Sequence, residues 1–257
     1  MTLRSKISIL AFVALLSSAT NAAVILTLES PTLALTSASQ NTLLEDFDTV
    51  ASSAFLNAYT TAFGTYSTTS GGVSVNNANM WGGAGGNGKY LYVPGGGSSL
   101  TLTFKQPVGY FGFWWSAGDD RNKLSIETSK QTLDFTTSDI LSSPALSSLH
   151  FGNPFWLNPA SPAQYAASWQ PFAFVNLFAD SQVDAMKSIT FYGSNFETDN
   201  HTVNASILGQ TGLTVSTLGV TTVPAPSTMS IGLLSLALFA FRKKAITLKS
   251  KYLQENV

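Results

Sequence analysis

The chain has 257 residues, of which 44% are hydrophobic and only 11% charged, with a formal net charge of −1; soluble domains average about 25% charged residues. Twenty Gly and ten Pro, with Ser, Thr and Asn in the polar positions, favour short strands and turns and argue against a mostly helical enzyme. There is no Cys, which excludes disulfide frameworks, thiolate zinc sites and thiol nucleophiles, and two His leave little room for His-rich metal chemistry.

In chain order, Arg4 and Lys6 precede the ten-residue apolar core 7–16, interrupted only by Ser8, and small residues follow through Ala22 and Ala23. This order predicts a secretory signal peptide over residues 1–23, cut after Ala22 or Ala23. Its apolar core is shorter than the roughly 20 residues that cross a bilayer. Residues 24–222 then form one domain. They hold six basic and thirteen acidic residues, a formal charge of −7, which argues against nucleic acid as a partner.

Strands are predicted at 43–48, 89–93, 98–104, 108–115, 124–128 and 131–135, and again at 172–178, 188–192, 197–203 and 213–220. They are short, rich in aromatic or β-branched residues and bounded by Gly, Asn, Asp or Pro. That is the pattern of an all-β fold, an antiparallel β-sandwich of jelly-roll type. Leu100, Leu102 and Phe104 alternate with Thr101, Thr103 and Lys105, so one face of that strand is apolar and the other wet. In Tyr110-Phe111-Gly112-Phe113-Trp114-Trp115 both faces carry aromatics. This predicts a central strand covered on both sides, the alternative being a strand whose outer face is a ligand platform. The Gly-rich stretches 82–88 and 95–97 lack a following Gly-Lys-Ser/Thr and helix start, so they are not phosphate loops.

Several polar groups are candidates for chemistry. Glu45, Asp46 and Asp48 open the domain, and Glu197, Asp199 and Asn200 lie near its end. If the first and last strands lie side by side these carboxylates converge. Glu45, Asp46, Asp48 and Asp199 would then be ligands for a structural calcium ion, with turn capping by Asp48 and Asp199 as the alternative. No other cofactor is required. Asp119, Asp120, Arg121 and Asn122 read as a solvated hairpin. Asp119 or Asp120 paired with Glu197 would make a two-carboxylate glycosidase, but nothing fixes their separation, so no catalytic residue is assigned and no enzyme is expected. His150 and His201 are too few and too far apart for a triad, and no G-x-S-x-G elbow is present; both are expected to be hydrogen-bonded structural residues. Residues 150–171 read as a long loop with aromatics among amide side chains. Trp156, Tyr165 and Trp169 are its candidate carbohydrate contacts, because exposed aromatics beside amides suit sugar faces and hydroxyls. A loop folded over the sandwich edge is the alternative.

At the far end, Val223-Pro224-Ala225-Pro226-Ser227-Thr228 leads into the thirteen-residue apolar segment 229–241, then Arg242, Lys243 and Lys244, then a polar tail at 245–257. As a short C-terminal apolar helix the segment would reach about 20 Å against a hydrocarbon core of about 30 Å. It would contact the membrane without being a lasting anchor, with its basic end on the cytoplasmic side.

Segment 223–244 resembles the sorting signal of the PEP-CTERM proteins of Gram-negative bacteria, which consists of Pro-Glu-Pro, an apolar segment and an Arg-rich end. Pro224, Ala225 and Pro226 with Arg242, Lys243 and Lys244 fit that order, with Ala225 where Glu is usual and with a tail beyond the basic cluster. The blocks 112–119 and 196–203 are similar to the F-W-W-S-A-G-D and D-N-H-T-V blocks of one group of these proteins. The resemblance implies export by the secretion machinery, processing by an exosortase-like membrane peptidase, and residence at the cell envelope surface or in an exopolysaccharide-rich extracellular matrix. A structural or interaction role is expected there. Carbohydrate binding to exopolysaccharide is the second reading and polysaccharide hydrolysis the third.

Overall fold

The computed structural model describes residues 24–35, 41–52, 58–68, 72–144, 146–156 and 170–218. The expected signal peptide, Tyr165, Trp169, the sorting signal with its apolar helix, and the polar tail lie outside the described residues. Among the described residues no helix is long and apolar enough to cross a membrane.

Two antiparallel sheets pack face to face, as the strand pattern predicts. The larger contains β1 (Val24–Leu28), β2 (Leu43–Glu45), β5 (Ser74–Asn77), β6 (Lys89–Val93), β8 (Tyr110–Ser116), β11 (Ala173–Ala179), β13 (Phe196–Asn204) and β14 (Leu213–Leu218). Its order is β14-β1-β11-β8-β13-β6-β5, and β2 pairs with the C-terminal half of β13 while β6 pairs with the N-terminal half. The smaller contains β3 (Tyr59–Thr60), β4 (Gly64–Thr68), β7 (Ser99–Val108), β9 (Lys123–Thr128), β10 (Thr132–Thr136) and β12 (Met186–Tyr192), in the order β10-β9-β12-β7-β4-β3. The last strand, β14, pairs with β1, while the predicted first strand, β2, pairs with β13 and not with β14. A single turn of helix, α1 (Thr137–Leu141), starts where Asp139 accepts hydrogen bonds from the backbone and hydroxyl of Thr136.

The core follows from period-two alternation. Val24, Leu26 and Leu28, with Phe111, Phe113 and Trp115, meet Leu100, Leu102, Phe104, Ile126, Ile189 and Phe191 from the opposite sheet in one buried cluster. Strand β8 is buried at all seven positions and lies between β11 and β13, the two-sided coverage expected of its aromatic sequence. Trp114 faces away from the second sheet and is covered by Ala84, Ala117, Phe172 and Phe174, so it is no ligand platform. Gly112 is required here because a Cβ would collide with the Tyr110 hydroxyl and the Phe174 ring.

The sequence reading needs correction in its quieter segments. The predicted strand at 43–48 ends at Glu45 because Phe47, at φ 57°, turns its ring into the core. Strands β1, β3, β4 and β5 and helix α1 were not predicted; β4 and β5 are mostly Gly, Ser, Thr and Asn and carry little apolar signal.

Candidate functional site

The same alternation that fills the core assigns side chains to the outer face of the larger sheet. Tyr90 and Tyr92 alternate with the buried Leu91 and Val93 along β6. Glu197 lies between Tyr92 and Ser116 in register, and Asp199 lies opposite Trp114. Asn76 of β5 pairs with Tyr90. These residues share one face, because directly opposed residues on neighbouring strands point the same way.

A cleft of about 380 Å³ opens on that face. Its aromatic wall is Trp81, Tyr90 and Tyr92, its amides are Asn76, Gln170 and Asn195, and Ala117 and Glu197 complete it. Among the described residues that line it, none is Lys or Arg. The indole of Trp81 is about half exposed, and its backbone is set by a turn in which Asn79 Oδ1 accepts from Trp81 N at 2.8 Å and Gly82 N at 3.2 Å. Gly82 sits against the Tyr90 ring, where a Cβ would lie 2.5 Å from ring carbons. Tyr92 donates its hydroxyl hydrogen to Asn195 Oδ1 at 2.7 Å, and Asn79 Nδ2 donates to the Tyr90 hydroxyl at 3.1 Å. Both phenols are therefore held in place before any ligand arrives.

A second loop supports this rim. Asn153 Nδ2 donates to Met80 O at 3.2 Å, Phe155 packs on Trp114 with ring centroids 5.4 Å apart, and Trp156 Nε1 donates to Gly86 O at 3.2 Å. Trp156, a predicted sugar contact, remains 43% exposed beside the Gly-rich segment.

Two carboxyls on this face are unusual electrostatically. Burial pushes the Glu197 carboxyl up to about 9, with the charge of Asp119 adding to the effect. Burial likewise raises Asp199 to about 8, against hydrogen bonds from Ala84 N and Asn200 N and with help from Asp48 and Asp46. Three buried polar atoms on this face, Trp114 Nε1, Ser116 Oγ and Glu197 Oε2, have no hydrogen-bond partner.

The carboxylates expected to converge do so through the pairing of β2 with β13, which places Glu45 opposite His201. Their oxygens are engaged elsewhere. Glu45 accepts from Phe47 N and the Tyr59 hydroxyl, Asp46 from Asp48 N, Asp48 from Lys89 N at 2.7 Å, and Asp199 from Ala84 N at 2.7 Å. Among the described residues no group of three or more His, Asp or Glu is placed to hold a metal ion. The predicted hairpin after β8 is solvated at Asp120 and Arg121, but Asn122 is buried. The Asn122 amide accepts from Asp119 N and donates to Ser194 O, locking the turn to the β12–β13 connection. Burial would raise Asp119, yet hydrogen bonds from Arg121 hold it below the usual carboxylate range.

Both histidines are structural, as expected. His201 Nδ1 meets the Tyr66 hydroxyl at 2.7 Å and its Nε2 meets Thr198 Oγ1 at 2.9 Å, while His150 bonds Ser147 and the carbonyl of Glu29. Burial lowers His201 to about 3, so it is neutral. The sequence reading missed Trp81, Tyr90, Tyr92, Asn76 and Asn195. The alternation in Lys89-Tyr90-Leu91-Tyr92-Val93 was the available signal: two tyrosines on the face opposite two aliphatics.

No family model matches the chain, and no curated protein matches it. Among solved structures it is similar to the catalytic domain of a GH87 alpha-1,3-glucanase in complex with nigerose, at 13% identity and TM-score 0.33. It is also similar to variants of that domain with nigerose or tetrasaccharides, at 13% identity and TM-score 0.34. Each alignment covers 66% of this chain and 29% of the other, so the chain spans less than a third of those structures.

Proposed function

We propose that this protein is exported to the cell surface or extracellular matrix of a Gram-negative bacterium, where its β-sandwich has an interaction role and grips exopolysaccharide through the outer-face cleft. The observation that carries the binding reading is the lining: Trp81, Tyr90 and Tyr92 beside Asn76, Gln170 and Asn195, with no cation among the described lining residues. Aromatic rings cover the apolar CH faces of sugars, and amides exchange hydrogen bonds with their hydroxyls. The Tyr92–Asn195 and Tyr90–Asn79 bonds fix the phenols in advance, which lowers the ordering cost of binding. Trp156 extends the surface along the neighbouring loop.

The segments outside the described residues support the address. The charged, apolar and small-residue order of 1–23 suits a signal peptide. Pro224, Ala225 and Pro226, the apolar segment 229–241 and the stop Arg242, Lys243 and Lys244 suit handling by an exosortase-like peptidase during brief membrane contact. Binding without hydrolysis is favoured because Asp119 is tied to Arg121 and Asp120 stands in solvent with its side chain 87% exposed.

Affinity electrophoresis through gels containing the host's own exopolysaccharide tests the reading. Trp81→Ala is expected to weaken retention about tenfold, equal to about 1.4 kcal/mol, and Trp156→Ala by less. Melting temperatures should stay near wild type because both indoles are substantially exposed. Equal retention of wild type and Trp81→Ala would refute the cleft as the binding site.

A further inference from the structure

Building on the polysaccharide reading above, we infer that the cleft accepts uncharged glycosyl residues in preference to uronates, and that Glu197 on its lining, backed by Ser116, reads a sugar hydroxyl. The register places Tyr92, Glu197 and Ser116 in one row across β6, β13 and β8. Ser116 is fully buried and Glu197 is 6% exposed, yet Ser116 Oγ and Glu197 Oε2 both lack a hydrogen-bond partner. Unpaired buried polar atoms are costly, so a molecule that supplies a partner to the Glu197 carboxyl, beside Ser116, binds with the recovered free energy. Glu197 lines the cleft directly, between the aromatic wall and Ala117.

The donor and acceptor inventory selects the ligand. A serine hydroxyl both donates and accepts, and a protonated carboxyl donates one hydrogen while its other oxygen accepts. A sugar hydroxyl also donates and accepts, and complements both. A uronate carboxylate only accepts, and among the described lining residues it finds no cation to pair with. The ionised Asp119 acts on Glu197 from the turn after β8, whereas Asp199, two residues along β13 on the same face, is held neutral by burial and adds no positive charge. Tyr90 and Tyr92 face Glu197 from β6 without bringing positive charge, and the Arg121 guanidinium is committed to Asp119 and Asp120 at 3.3 and 3.5 Å. The acidic balance of residues 24–222 disfavours polyanions in the same direction.

The test uses the full chain in affinity electrophoresis and calorimetry with dextran, laminarin and polygalacturonate at neutral pH. At least one neutral glucan should be retained at least tenfold more tightly than polygalacturonate, with added salt narrowing the gap by screening the repulsion. Glu197→Gln, which keeps a donor and an acceptor, should retain the neutral glucan within about twofold, whereas Glu197→Leu and Ser116→Ala should each weaken it about fivefold or more. Polygalacturonate retained as tightly as the glucans would overturn the charge selection. Glu197→Leu and Ser116→Ala variants that melt and bind like wild type would overturn the hydroxyl-reading role. A wild-type chain retained by none of the three polymers and not by the host's exopolysaccharide would overturn the polysaccharide reading itself, a result distinct from either.

Discussion

Burial keeps His201, Glu197 and Asp199 neutral, and these side chains pull stability in opposite directions with pH. His201 lies among the rings of Phe47, Phe111 and Phe191, at centroid distances of 5.2, 5.3 and 5.1 Å. An unfolded imidazole takes a proton near 6.5, but in the native state burial delays this to about 3, so the contribution of His201 is lost as pH falls through that window. Glu197 and Asp199 behave in the reverse sense. Their unfolded carboxyls ionise near 4.5 and 3.8, whereas the native groups hold their protons to about 9 and about 8. The native state binds more protons between those limits, so stability is full below the unfolded values and declines as pH rises toward 8 and 9, by up to ~1.4 kcal/mol per pH unit for each group. Glu197→Gln mimics the protonated acid and removes one of these declines. Urea unfolding from pH 6 to pH 9 should give the variant a flatter profile that crosses above wild type on the alkaline side. Parallel profiles would mean that Glu197 is ionised in the native state. The sequence revealed the histidines as structural because no G-x-S-x-G elbow supplies a serine partner for them. It did not reveal the burial of Glu197, since a carboxylate on a strand normally faces water.

At the scale of an element, β13 departs from simple alternation. Phe196 and Thr198 face inward, and the strict period would next bury Asn200 and Thr202. Instead Asn200 adopts φ 49°, the register against β8 shifts between Asp199 and Thr202, and His201 and Val203 enter the core. Asparagine suits this bulge because it tolerates the left-handed region, and its side-chain Nδ2 donates to Ala34 O at 3.1 Å. Asn200→Val should therefore cost about 2–3 kcal/mol, from a β-branched side chain at positive φ and the lost hydrogen bond. Asn200→Gly should cost about 1 kcal/mol or less, since it keeps the backbone conformation. Chemical denaturation of the two variants checks the order, and equal losses would remove the bulge as the cause. Regular strands were legible: β6 matches its predicted span, and β8 and β9 lie within a residue or two of theirs. Bulged or weakly apolar strands were less so, because a single extra residue inverts every later side chain. The cleft was missed for a related reason. It is assembled from β5, β6, β13 and four connecting loops far apart in sequence, and only the β6 alternation hinted at it locally.

For the whole molecule, the first described strand follows directly on the expected export signal. Val24 is fully buried at the first position of β1, pairing with Ala179 on one side and Leu218 on the other. Strand β1 joins β14 to the rest of the larger sheet, so residues 24–28 belong to the folded body, and a signal-peptide cut deeper than Val24 would remove pairing residues from both neighbours. Cleavage after Ala22 or Ala23 leaves every described residue of that strand in place. At the other end β14 finishes at Leu218, before Pro224, so a cut in the Pro224-Ala225-Pro226 segment also spares every described strand. The export proposal and the fold thus make a joint prediction about covalent structure. Intact mass of protein recovered from the envelope and medium of the native host should correspond to an N-terminus at Ala23 or Val24 and a C-terminus within a few residues of Pro226. Residues 229–257 found intact on the mature protein would overturn processing by an exosortase-like peptidase. An N-terminus beyond Leu28 would contradict the placement of β1, because the larger sheet would then lose the strand that links β14 to β11.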